Sequence, residues 1–468
     1  MSTRLAVIGA GPGGYVAAFH AADLGMQVTL IDADPNPGGV CTFRGCIPSK
    51  ALLHAARVLD EAKHASAYGV SFGAPSIDID KLRAWKDQVV KKQTGGLGLL
   101  AKSRKVTYIQ GRASFVNAKT LSVDTAKGEQ KVEADYVIIA TGSRPTTVPN
   151  VSIESPKVLD STTALELPDV PNRLLVVGGG YIGLELGTVY AALGSKVTVV
   201  EMTDGLLPGA DRDLAAVVAK RMETYAEAIL LETKVTSVKD DKKGLAVSLE
   251  GKNAPGAAQI FDRVLVAVGR RPNSAIGGLD KTKAKVNQRG FIEVDGQRRT
   301  AEPSIFAIGD VAGDPMLAHK ASHEARVAVE AIHGKPSVFE PRAIPAVVFT
   351  DPELAWTGLT ETDAKKQNIP IEIAKYPWAA SGRATTLDRP DGLTKLIIDP
   401  ETDRILGVGI VGVGAGELIS EGTLAIEMGA VASDLKLTIH PHPTLSETVM
   451  EAADVFFGES AHVYKPKR

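Results

Sequence analysis

The sequence predicts an α/β protein with two Rossmann-like domains, a central domain and a C-terminal α+β domain, and three observations carry that prediction. An apolar strand, Leu5-Ala6-Val7-Ile8, runs into Gly9-Ala10-Gly11-Pro12-Gly13-Gly14, then a helix from about Tyr15, then a strand, Val28-Thr29-Leu30-Ile31, ending on Asp32. The same unit recurs as Leu174 to Val177, Gly178-Gly179-Gly180-Tyr181-Ile182-Gly183, and Val197 to Val200 ending on Glu201, with every landmark displaced by 169 residues. From about Ile344 the pattern changes to separated strands followed by helices near 416–430 and 446–457. The expected divisions are residues 1–147, 148–272, 273–343 and 344–468.

Short continuous apolar runs suit strands buried on both faces of a parallel sheet. Gly9 and Gly178 make the turn, Gly11 and Gly180 let a pyrophosphate approach the backbone, and Gly14 and Gly183 let helix and strand pack closely. Asp32 and Glu201 are placed to accept from ribose hydroxyls. Two such fingerprints imply two nucleotide cofactors, for which a flavin and a nicotinamide are the chemically sensible pair. Glu201 would repel a 2′-phosphate, and no lysine or arginine between Lys196 and Arg212 would receive one, so the nicotinamide reads as NAD.

Both cysteines of the chain lie in Gly38-Gly39-Val40-Cys41-Thr42-Phe43-Arg44-Gly45-Cys46-Ile47-Pro48-Ser49-Lys50, just after the first unit. Proline is favoured in a first helical turn, so a helix is expected to start here with Cys46 just ahead of its N-terminus, where a thiolate is favoured. Positions five apart on a regular helix are too distant for a disulfide, so the backbone is expected to bend between Cys41 and Cys46, with Gly45 supplying the freedom. A dithiol/disulfide redox centre fits the pair. Small buried hydrophobes, a structural disulfide, or zinc held with His440 and His442 are the other readings.

Further on, Tyr136 to Ile139 reads as a buried strand entering Ala140-Thr141-Gly142-Ser143-Arg144-Pro145, and Val264 to Val268 enters Gly269-Arg270-Arg271-Pro272 in the same way. The strand Ser304 to Ile308 leads to Gly309-Asp310, an acid placed to hold a ribityl chain or merely to cap a helix. Met316-Leu317-Ala318-His319 opens a helix whose N-terminus suits developing negative charge on a flavin. In the last domain, Ala346 to Thr350, Thr394 to Ile398 and Ile405 to Val411 read as strands. His440-Pro441-His442-Pro443 forces extended geometry, so the two imidazoles should point to opposite sides. Thr444-x-x-Glu447 matches a capping box, and Glu447 is equally placed to orient His442 as a general base.

Composition narrows the function classes. A net charge of −2, from Lys+Arg 53 against Asp+Glu 55, argues against nucleic acid or a membrane surface as the main partner. The basic tail Lys465-Pro466-Lys467-Arg468 reads as a solvated end. No apolar run approaches the ~18 residues of a membrane span. Glycines and a proline inside the first apolar stretch fit a phosphate loop and not a signal peptide, so a cytoplasmic location is expected.

These motifs resemble the flavoprotein disulfide reductases over essentially the whole chain. Gly39-Val40-Cys41, Gly45-Cys46-Ile47-Pro48-Ser49-Lys50, Ala140-Thr141-Gly142-Ser143, Ile308-Gly309-Asp310, Met316-Leu317-Ala318-His319 and His442-Pro443-Thr444 with Glu447 carry the likeness. The resemblance, strongest to members that oxidise dihydrolipoyl groups, implies FAD and NAD as cofactors and a homodimer in which His442 reaches the Cys41–Cys46 disulfide of the other subunit. It also implies partnership with lipoyl domains and the acyltransferase core of 2-oxo acid dehydrogenase complexes, or with a glycine cleavage system. Lys50 with Glu185 as its ion-pair partner, Gly39 and Ala113 would serve the flavin. Gly178, Gly180, Gly183, Glu201, Val235 and Gly269 would contact NAD. His442–Pro443 would be cis.

Two departures stand out. Thr42-Phe43-Arg44 replaces the usual Leu-Asn-Val between the cysteines, so Arg44 is expected to acidify the thiols and raise the disulfide potential, and Pro441 replaces alanine. A glutathione-type reductase, or a flavin-binding subunit without turnover, is the alternative.

Overall fold

The computed structural model describes residues 2–464, so the basic tail lies outside the described residues. The first unit is a five-stranded parallel sheet in the order Ile305–Ala307, Tyr136–Ile139, Arg4–Ile8, Gln27–Asp32, Thr107–Gln110. Helices α1 (Pro12–Asp23), α2 (Gly39–Arg44), α3 (Cys46–His64) and α4 (Ile79–Ser103) follow the first two strands. The second unit repeats the plan in the order Ala226–Leu230, Lys196–Val200, Arg173–Val177, Arg263–Val266, Val158–Leu159, again parallel throughout, with α5 (Ser161–Leu165), α6 (Tyr181–Ala192) and α7 (Arg212–Met222). The displacement of 169 residues seen in the sequence carries into the elements: α1 and α6 start and end that far apart. Each unit also carries a three-stranded antiparallel insert, Arg112–Asn117 to Gly128–Glu133 in one and Thr233–Asp241 to Gln259–Phe261 in the other, which the sequence analysis did not anticipate.

Burial on both faces explains the apolar runs. Val7, Leu30 and Ile138 are sealed under α1 and α8 (Ala318–Ile332), while Ala6, Ile31 and Ile139 face the insert. Residues 273–343 form no sheet of their own. They return to the first unit, adding its edge strand Ile305–Ala307 and packing α8 against α1. A two-stranded antiparallel pair, Ser143–Pro145 with Arg270–Pro272, links the corresponding strand ends of the two units.

The C-terminal unit is a five-stranded antiparallel sheet, Ala346–Val348, Glu353–Gly358, Ile405–Gly412, Leu393–Ile398, Glu372–Pro377, where the sequence suggested three strands. Helices α9 (Glu361–Gln367), α10 (Gly382–Thr386), α11 (Ala415–Met428), α12 (Ala432–Leu437) and α13 (Glu447–Phe457) complete it. Buried Lys395 ties this sheet to the second unit: its ammonium lies 2.6 Å from Asp211, 2.8 Å from Asp213 and 2.8 Å from Glu361. This is the only cluster of three acidic, histidine or cysteine ligands among the described residues, and the ammonium of Lys395 already occupies its centre. Among the described residues no helix is long and apolar enough to cross a membrane.

Candidate active site

The glycine loops come first, because they position everything else. Gly9 and Gly178 adopt φ of +97° and +110°, and a Cβ on either would strike the neighbouring strand's carbonyl. A Cβ on Gly14 would lie 1.8 Å from the Gly9 carbonyl oxygen, and one on Gly183 2.2 Å from that of Gly178. Gly11 and Gly180 face open space, cap α1 and α6 without a side chain, and have no acid in the following turn. The free N–H groups of both helix starts are therefore available to an anion. Asp32 accepts from Ala10 N at 2.6 Å and Asp34 N at 2.9 Å, and Glu201 accepts from Gly179 N at 2.7 Å and Thr203 N at 2.8 Å. Arg212 spends its guanidinium on the carbonyls of Leu206, Leu207 and Ala210, so it offers no partner for a 2′-phosphate.

A cavity of about 950 Å³ opens from the first loop. Gly9, Gly11, Asp32, Gly39, Cys41, Cys46, Lys50, Ala113, Thr141, Gly142, Ser143, Asp310, Met316 and Ala318 line it, together with Glu185 from α6. The donor set fits a flavin dinucleotide: a bare helix terminus for the diphosphate, acids for the ribose and ribityl hydroxyls, and a second uncapped terminus, that of α8. Asp310 accepts from Ser143 Oγ at 2.5 Å, and Arg270 Nε donates to the same hydroxyl at 2.7 Å. Arg270, not among the residues expected at the site, follows Gly269 in the strand end that mirrors Gly142-Ser143, and that symmetry is the signal that points to it. Leu317 and His319 lie outside the lining; His319 is engaged with the Pro345 carbonyl at 2.7 Å. Gly178, Gly180, Gly183, Glu201, Val235 and Gly269 also lie outside it, in the second unit, where Val235 packs against the core.

The cysteine pair sits where two helices break. Gly45 separates α2 from α3 with φ −148° and ψ −115°, and a Cβ there would lie 2.9 Å from the Val40 carbonyl oxygen. This is the bend expected from the spacing, and it brings the free thiols of Cys41 and Cys46 within hydrogen-bonding reach. The Cys41 thiol donates and its own ionisation is pushed up by that bond and by burial. Cys46 is held down to about 7 by the same bond, with Lys50 adding to the effect. Cys46 is thus the more acidic thiol of the pair. Lys50 Nζ lies 2.8 Å from Glu185 Oε2, and Glu185, with its side chain 4% exposed, also accepts from Phe349 N at 2.9 Å. The Lys50 ammonium stands 4.5 Å from the centre of the Phe349 ring.

Arg44 has a partner that the sequence did not indicate. It forms a tight ion pair with Asp34 and lies over the Phe43 ring, so its charge is compensated on the Asp32 side of the cavity. The capping box is also only half formed. Glu447 Oε2 accepts from Thr444 N at 2.7 Å, but α13 starts at Glu447 with Ser446 as its cap, and the Thr444 hydroxyl turns to Pro441 O.

The two histidines diverge as their prolines require. Both nitrogens of His440 face acceptors, Thr438 O at 2.8 Å and Glu421 Oε1 at 2.7 Å, leaving no free lone pair. His442, 79% exposed, gives Nδ1 to Glu447 Oε1 at 2.8 Å and keeps Nε2 open, and the His442–Pro443 bond is cis. Burial pushes the Glu447 carboxyl up, but hydrogen bonds from Thr444 N and His442 outweigh it and the net shift is downward. Among the described residues no metal-binding cluster includes His440, His442 or either cysteine.

Known proteins with the same pattern are numerous. The family signature described as pyridine nucleotide-disulphide oxidoreductase spans residues 3–325, and its dimerisation domain spans residues 344–453. Dihydrolipoyl dehydrogenase of Vibrio cholerae is 51% identical over 98% of this chain and 96% of its own length. That of Geobacillus stearothermophilus is 46% identical over 99% and 98%. Among solved structures, LpdA of Mycobacterium tuberculosis superposes with a TM-score of 0.89 at 27% identity, covering 96% of this chain and 99% of that one. The flavoprotein disulfide reductase RclA of Escherichia coli, as its Cu(II) complex, gives 0.87 at 28% over 97% and 99%.

Proposed function

The chain belongs to the pyridine nucleotide-disulphide oxidoreductase family, and from that premise we propose how its residues carry the reaction. It is an FAD- and NAD-dependent oxidoreductase with the activity of a dihydrolipoyl dehydrogenase, and it carries a dimerisation domain. Residues 1–147 with 273–343 would hold the flavin, residues 148–272 the NAD, and residues 344–468 the second subunit. The observation that carries the residue assignment is geometric: Cys41, Cys46, Lys50 and Glu185 line one cavity, with Lys50 paired to Glu185.

In the disulfide form, His442 of one subunit takes the proton from a dihydrolipoyl thiol through its open Nε2, while Glu447 holds the ring and stabilises the imidazolium. The substrate sulfur attacks Cys41, because the better leaving group is the more acidic thiol, Cys46. The second substrate thiol then displaces Cys41, closing the lipoyl disulfide and leaving the enzyme dithiol. The bound cofactors supply the chemistry that carries the electron pair from this dithiol to NAD⁺ as a hydride. Lys50, fixed by Glu185, would favour negative charge on a bound flavin, and Asp310, held by Ser143 that Arg270 in turn bonds, would serve its ribityl hydroxyls. The lipoyl group would arrive on lipoyl domains of 2-oxo acid dehydrogenase complexes or a glycine cleavage system, in the cytoplasm.

The test is direct. The purified protein is expected to show a flavin spectrum and to form NADH from dihydrolipoamide with NAD⁺ far faster than NADPH with NADP⁺. A preference for glutathione and NADPH would move it to the glutathione-type reductases, and a flavin spectrum without any turnover would leave a binding subunit.

A further inference from the structure

Helix α3 carries Cys46 and Lys50 at its N-terminal end and Asp60 about four turns further on, roughly 21 Å away. Each end meets both other units. At the near end, Lys50 bonds Glu185 of α6, whose second oxygen takes the N–H of Phe349 from the C-terminal unit. At the far end, Arg221 of α7 donates to Asp60 at 2.7 Å and reaches Asp351 at 3.5 Å, two residues beyond Phe349. The Tyr225 hydroxyl donates to Asp351 at 3.2 Å, and Arg389 holds its other oxygen at 2.8 Å. These far-end groups are mostly buried, so their charges are poorly screened by solvent. The redox helix is thus tied at both ends, through a lysine to an acid of the second unit at one end and through an acid to an arginine of that unit at the other.

We propose that Asp60, Arg221 and Asp351 form a positioning junction that seats α3 from its far end and so holds Cys46 and Lys50 in register with Cys41 and Glu185. None of the three touches the cavity. Their effect is mechanical: a helix gripped at both ends neither slides nor rolls against α6, and the contact between Lys50 and Glu185 depends on that register. The inference rests on the reading of Cys46 as the more acidic thiol.

The experiment measures the pH dependence of Cys46 alkylation by iodoacetamide in the reduced, flavin-loaded protein, with the modified residue identified by mass. The titratable groups facing Cys46 are Cys41 from α2, Lys50 from its own helix, Tyr15 from α1, and Glu185 and Tyr181 from α6. At the junction, His64 also lies 3.4 Å from Asp60 and Asp391 lies 3.2 Å from Arg389. Arg221→Gln and Asp60→Asn remove charges of opposite sign. Acting through space they would move the Cys46 midpoint in opposite directions, and only slightly, since the separation exceeds a Debye length of about 8 Å. Acting through the seating of α3, both raise it by about half a pH unit or more, roughly a threefold loss of thiolate below the midpoint. Arg221→Lys restores the wild-type midpoint. A midpoint that is unchanged, or that moves in opposite directions in the two variants, overturns the junction, even if both variants melt earlier. Should both fail to fold, Tyr225→Phe removes only a hydroxyl and carries the same expectation: a raised midpoint supports the junction and an unchanged one overturns it. A wild-type midpoint in the ordinary thiol range would instead overturn the assignment of Cys46, a separate failure.

Discussion

His440 and His442 are two residues apart and use their nitrogens in opposite ways. The first has both committed to acceptors, and the second has one committed and one open, so only His442 can accept a proton from substrate. His442→Gln is expected to lower kcat for dihydrolipoamide oxidation by about 10²–10⁴-fold, the usual contribution of a general base, while reduction of the bound flavin by NADH persists. Stopped-flow measurement of the two half-reactions separates these outcomes, and equal loss in both would contradict the role. Cys46 supplies a second test at this scale. Its thiol is held down to about 7, below the ordinary value for cysteine, so the thiolate dominates above that pH and is lost as the pH falls through it. Alkylation of the reduced wild-type protein should therefore rise through pH 7 and level off above it, and a midpoint near 8.5 would show an unperturbed thiol.

Elements are set here by close backbone approach. The helix of each glycine unit lies so near its strand that a single methyl group has no room, whereas the middle glycine faces open space. Gly183→Ala therefore forces α6 away from the Gly178 turn without touching the first unit. The expected result is an intact flavin spectrum with KM for NAD⁺ raised at least ~tenfold, equivalent to about 1.4 kcal/mol of binding. Titration of the oxidised variant with NAD⁺ checks it, and unchanged affinity would remove the second loop from the cofactor site. Gly45 works at the same scale, because only a break between α2 and α3 lets two cysteines five positions apart meet.

At the scale of the whole molecule, the open Nε2 of His442 is carried by the C-terminal unit and the thiols by the first unit. A dimer that pairs them across subunits makes a quantitative prediction. Cys46→Ser and His442→Gln are each expected to be inactive as homodimers. Dissociated, mixed in equal amounts and reassociated, they should recover about a quarter of wild-type activity, because half the dimers are mixed and each mixed dimer has one intact site of two. No recovery in a mixture shown to exchange subunits would place both groups in one chain.

The two nucleotide units, their offset, the bend at Gly45 and the divergence of the histidines could all be read from the sequence. Each depends on local spacing or on a motif that repeats within the chain. The partner of Arg44 could not be read, for the opposite reason. The arginine's charge is cancelled by Asp34, ten residues away, and which acid an exposed-looking arginine meets is decided by how the first unit folds back on itself. Arg270 on Ser143, Arg221 on Asp60, and Lys395 among three acids likewise join residues far apart in the chain. The sequence by itself determined the two repeated nucleotide units and the chemistry of the reacting groups, because these follow from backbone geometry and side-chain type. Only the tertiary structure decided which charges compensate one another, because Coulomb energy depends on distance and burial, and the order of residues specifies neither.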